Sequence, residues 1–163
     1  MGDHMENTQN YLLILEESLN KKIVFLDELS KLTNFQKDIV MAEEFDDEAF
    51  GKNIEQKDAI IRELEKLDRG FQILFDNVKA QIEENKEVYS AEIKRLQALV
   101  KEVLDKSTSL QVMESRNKDL VKSRFASLKK EVRQLKKSRE LAANYYKTMN
   151  NISSEPYFLD KKK

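Results

Sequence analysis

The chain has 163 residues, a net charge of −1, 36% charged and 40% apolar side chains, three glycines, one proline and no cysteine. This apolar content argues against disorder, and the scarcity of glycine and proline argues against an all-β domain with its regular turns. No apolar run approaches the ~18 residues of a membrane-spanning helix, and no charged-then-apolar leader is apparent.

Met1-Gly2-Asp3-His4 reads as an expression scar ahead of a start at Met5. His4 is the only histidine. Without Cys or a further His, zinc and thiolate sites lack soft ligands, and the usual general base and thiol nucleophile are missing. Charge is unevenly placed: Met5–Glu87 holds 11 basic and 20 acidic residues (net −9), and Val88–Lys163 holds 18 basic and 9 acidic (net +9). Such halves pair with each other on folding, or the basic half recruits an acidic partner.

The first predicted helix spans about Asn7 to Ala42. Leu12, Leu15, Leu19, Ile23, Leu26, Leu29, Leu32, Phe35 and Ile39 recur every three or four positions and form one stripe. Glu17–Lys21 and Asp27–Lys31 add i,i+4 support. The acidic stretch Glu43–Glu48 is a turn, where Asp46 or Asp47 can cap the next helix. Carboxylates at a helix start need no metal to account for them.

A second helix begins near Asp47 and carries Phe50, Ile54, Ile61, Leu64, Leu67, Phe71, Leu74, Val78 and Ile82. The period passes through Gly70 without a phase jump, which favours a continuous or mildly kinked helix. A turn is expected at Glu84–Glu87, with Ser90 as a cap candidate.

The third segment runs from about Tyr89 to Lys147, with Ile93, Leu96, Val100, Val103, Leu110, Met113, Leu120, Leu128, Val132 and Leu135 on its stripe. At full length it reaches roughly 85 Å against roughly 55 Å for the other two, so it either overhangs them or breaks. Lys106–Ser109 is the best break point, because Thr108 and Gln111 have capping-box spacing. Met149–Lys163 reads as a flexible tail with the apolar cluster Tyr157-Phe158-Leu159.

Short connections between amphipathic helices require antiparallel neighbours whose stripes meet. The expected fold is therefore all-α: an elongated antiparallel bundle of three to four long helices, residues 5–148, with left-handed coiled-coil-like packing.

No phosphate-binding loop, H-E-x-x-H or nucleophile elbow is present. The reading is of a non-enzymatic protein without cofactor or metal. Lys129–Arg139 carries six positive charges and one negative and is suited to phosphate, but the chain's pI of about 6.0 argues against a nucleic-acid protein. Tyr145, Tyr146 and Met149 follow a stretch that has run past its partners. Exposed aromatics and Met at such a place suit a partner helix, although core packing is the commoner role.

The chain resembles the FlgN family of flagellar export chaperones. The likeness lies in the helix pattern from Met5 to Lys163 and in three stretches, Gln56–Asp68, Glu114–Leu120 and the ending from Tyr145-Tyr146 through Tyr157–Lys163. The resemblance implies a cytoplasmic chaperone that holds the C-terminal helical segment of the hook-associated proteins FlgK and FlgL and delivers it to the flagellar type III export gate. It places the client on Leu128 to Met149, and gate docking on Tyr145 or Tyr146. The expected partner-binding residues are Leu128, Val132, Leu135, Leu141, Tyr145, Tyr146 and Met149. Expected partners are the two hook-associated proteins and an export-gate component, with no nucleic acid, no membrane insertion and at most a weak homodimer. A clientless coiled-coil scaffold or spacer is the other reading, and it differs in requiring a stable homo-oligomer.

Overall fold

The computed structural model describes residues 2–149, with side chains placed for residues 7–144 and Lys147. It contains α1 (Gly2–Met41), α2 (Asp47–Glu84) and α3 (Ser90–Met149), and no strand among the described residues. The fold is an all-α bundle of three long helices. Met149 closes α3, and the rest of the expected tail lies outside the described residues.

The α1–α2 turn is fixed by local chemistry. Asp46 adopts extended backbone and its carboxylate accepts from Ala49 N–H at 3.0 Å, satisfying one of the free donors of the first turn. Phe45, just before the cap, packs edge-on against Phe50 with ring centroids 5.6 Å apart. This contact is a hydrophobic staple that sets the angle at which the chain enters α2. Asn85 ends α2: its N–H donates to Gln81 and Ile82 carbonyls, and its side chain donates to Gln81 O at 2.9 Å.

Gly70 lies inside α2 without positive φ, so the period does run through it. Lys106–Ser109 does not break α3, which is helical for 60 residues. The expected cap there is absent for a physical reason. Thr108 Oγ1 turns back to donate to the Leu104 carbonyl at 2.9 Å, a helix-interior bond that competes with capping.

The chain divides after Leu120 into two compact units, within α3. The first unit, up to Leu120, holds the core. One cluster joins Leu19, Leu26 and Leu29 of α1 to Val103 and Leu110 of α3, with Ile60 and Leu64 of α2 against it. A second joins Leu12, Leu15, Val78 and Tyr89. Each fully buried aliphatic side chain contributes about 1.5–3 kcal/mol. Tyr89 is buried although the sequence marks it only as a helix start; it sits in the α2–α3 turn and closes that end of the core.

Ion pairs tie the helices at their margins. Glu16 meets Arg95 at 3.3 Å, Asp27 meets Lys106 at 2.7 Å, and Lys22 meets Asp68 at 2.6 Å. The first two fix α1 and α3 parallel, and α2 runs against both. The Asp27 carboxylate, by hydrogen bond and charge, holds Lys106 above the ordinary lysine range.

At the Asp46 end the core turns polar. Thr33, Gln36, Asn53, Lys57 and Asn117 are all buried. Asn117 donates to Thr33 O at 2.7 Å and to Gln36 Oε1 at 3.1 Å, and Asn53 donates to Leu32 O at 2.8 Å. Lys57 pairs with Glu114, which also lies 2.8 Å from Thr33 Oγ1.

This layer corrects the expected stripes. On α1 the buried seam continues through Thr33, Gln36 and Val40, while Phe35 is 48% exposed. On α2 it takes Phe50, Asn53 and Lys57, while Ile54 and Ile61 face outward. In both cases the buried seam steps three and four residues regardless of polarity. A reading by hydrophobicity slides one position aside to the nearest greasy residue.

Candidate partner-binding surface

In the second unit, α3 runs from Val121 to Met149. Helical geometry turns each residue about 100° from the last. On that spacing Phe125, Leu128, Val132 and Leu135 fall on one face at steps of three and four, the a/d pattern of a coiled-coil seam. Val132 is 62% exposed and Leu135 60% exposed, and Leu128 is half-buried.

Leu141, expected on the same surface, is nine residues beyond Val132 and so points about half a turn away. It is 70% exposed, on the opposite side of the helix. Tyr145, Tyr146 and Met149 belong to the last turns of α3. Their side chains lie outside the described residues, so the expectation about them is carried by the resemblance alone.

The charge pattern is sharper than the sequence halves suggest. The part of α3 and its leading turn from Val88 to Leu120 holds six basic and five acidic residues, a net of +1. Val121–Met149 holds nine basic and two acidic, a net of +7. The positive excess therefore resides in the stretch of α3 that belongs to the second unit. Within it, Lys122, Lys129 and Lys136 recur every seven residues and are exposed, in a row along one flank of the apolar seam. None of the three is in an ion pair among the described residues. Heptad arithmetic on the sequence would have found this row; counting net charge by halves conceals it.

Among the described residues of the first unit lie apolar recesses that periodicity does not reveal. One of about 220 Å³ lies where Leu19 and Lys22, Leu67 and Phe71, and Val103 and Leu104 meet. Another, about 520 Å³ and wider, lies between α1 and α2 and is lined by Ile14, Phe25, Leu67, Gly70, Phe71 and Leu74. Gly70 adds to its width, since a Cβ there would meet nothing within 4 Å.

Among the described residues no group of three or more His, Cys, Asp or Glu is placed to hold a metal ion. None of their helices is long and apolar enough to cross a membrane. Comparison with protein-family models, with curated proteins and with solved structures finds no match.

Proposed function

We propose that the chain is a non-enzymatic, cytoplasmic export chaperone of the flagellar type III system that sequesters the C-terminal helical segment of hook-filament junction proteins of the FlgK and FlgL type. One observation carries the binding part of this reading: Val132 and Leu135 stand more than half exposed on one face of a long helix. A client's amphipathic helix laid along that seam buries its own apolar face and is kept from assembling early. The flagellar part rests on the resemblance.

Isothermal titration of the full chain with a C-terminal segment of a hook-filament junction protein tests it. The expected result is one-to-one binding at micromolar to nanomolar Kd, about −8 to −12 kcal/mol. Val132→Asp with Leu135→Asp abolishes binding and keeps the helix content. No binding, together with a stable homo-oligomer, favours a scaffold instead. Tyr145→Ala or Tyr146→Ala, at whichever residue docks at the gate, lowers export by more than it lowers client affinity.

A further inference from the structure

The lysine row specifies what chemistry lies opposite it. In a coiled-coil contact the positions beside the apolar seam face the flanking positions of the partner and decide which partner is accepted. Here the flank is Lys122, Lys129 and Lys136, with Arg133 beside them and a net of +7 over Val121–Met149.

From this charge pattern we infer that the occupant of the Leu128–Leu135 seam is an acidic amphipathic helix, with apolar residues at heptad spacing flanked by a row of Glu or Asp facing the lysines. The inference rests on the helix-binding function argued above and adds the partner's chemistry to it.

Two other occupants fit the pattern less well. A second copy of this chain in antiparallel register sets Lys122, Lys129 and Lys136 against the same row. In parallel register it opposes Arg124 to Lys129 and gains only Glu131 with Lys136. A nucleic acid uses the cations but gains nothing from Val132 and Leu135, which stay exposed to water in such a complex.

The test uses the full chain and two designed helical peptides of about four heptads, both with Leu at the seam positions. One carries Glu at every flanking position and the other Lys. Fluorescence anisotropy reads their affinities at low and at physiological salt, and circular dichroism confirms that each variant keeps its helix content. The Glu peptide binds at least about tenfold more tightly, and the difference narrows as salt rises. Lys122→Glu, Lys129→Glu and Lys136→Glu together reverse the preference. Val132→Asp with Leu135→Asp loses both peptides.

Equal affinities, or a preference that survives the triple charge reversal, overturn the inference. So does duplex DNA bound tightly by wild type and by the Val132/Leu135 variant but not by the triple variant, with no discrimination between the peptides. Sedimentation equilibrium showing a dimer that dissociates in the Val132/Leu135 variant overturns it in favour of a second copy.

The two readings fail separately. Discrimination between the peptides without binding of a hook-protein segment keeps the acidic helix and removes the flagellar client. Binding of that segment undisturbed by the triple charge reversal keeps the client and removes the acidic row.

Discussion

Asn117 of α3 donates its side-chain amide to the main-chain carbonyl of Thr33 in α1 at 2.7 Å, deep in the first unit where both residues are almost wholly buried. A carbonyl within a helix already accepts from the residue four further on, so this bond uses its second lone pair and ties the register of α3 to α1. Asn117→Ala loses this bond and the one to Gln36 and leaves a small void. The expected cost is about 1–3 kcal/mol in urea denaturation. Asn117→Leu is expected to recover much of that stability while broadening the amide spectrum of the α1–α3 interface, since a polar residue at a seam position fixes register at a cost in stability. An alanine variant as stable as wild type would remove the register argument.

The Lys57–Glu114 pair is asymmetric. The Lys57 side chain is 8% exposed and that of Glu114 43% exposed. Glu114→Ala strands a buried ammonium and should destabilise by about 2 kcal/mol, less than the ~3–5 kcal/mol of a fully enclosed pair because water reaches this site. Lys57→Met removes the buried charge and leaves a carboxylate that can rehydrate, so the change should be within about 1 kcal/mol of neutral. Chemical denaturation of the two variants decides the matter; equal losses would mean that Lys57 is hydrated in solution.

Gly70→Ala should stabilise the protein by about 0.5–1 kcal/mol, because the position is interior to a helix and a methyl group there meets open space. Thermal unfolding reads the gain. A loss would show that the groove beside Gly70 closes in solution.

Lys106 and Asp27 give a pH dependence of known sign. The folded-state pKa of Lys106 lies above the ordinary 10.5, so the stability it contributes is complete below that value and is lost as pH rises through the raised one. Lys106→Met should lower stability slightly at neutral pH, where the pair's contribution is complete, and flatten the alkaline limb between about pH 9 and pH 12 by the same small amount, given the modest worth of surface pairs. A variant with an unaltered alkaline limb would show that the pair is screened.

The sequence makes the three-helix architecture legible because heptad-like apolar spacing and the near absence of helix breakers point the same way. Asp46 is readable as a cap from residue type alone, and Gly70 as a helix-interior position from the unbroken phase. The polar layer is not readable. Thr33, Gln36, Asn53, Lys57 and Asn117 occupy seam positions by spacing, yet their chemistry marks them as surface residues, and only tertiary hydrogen bonding explains their burial. Phe35, Ile54 and Ile61 mislead for the complementary reason, since a large apolar residue beside the seam outscores the polar one in it. The partner surface is partly legible. Val132 and Leu135 follow from the period, while Leu141 drops out when helical angle, rather than apolar character, is the criterion.

The parallel pairing of α1 with α3 carries a larger cost of loop closure than the α1–α2 hairpin. Bonds joining those helices link residues as much as 84 apart, as in Asn117 to Thr33, whereas Asn53 reaches Leu32 across only 21. Closing the longer loop costs about 1.2 kcal/mol more in chain entropy, two doublings of length, before any contact rewards it. The α1–α2 hairpin is complete as soon as Glu84 has emerged from the ribosome, whereas the segment bearing Leu110 and Asn117 is translated afterwards. Chain entropy thus favours closing the α1–α2 pin before α3 is laid over Leu19 and Leu26, the α1 residues that share a core cluster with Val103 and Leu110.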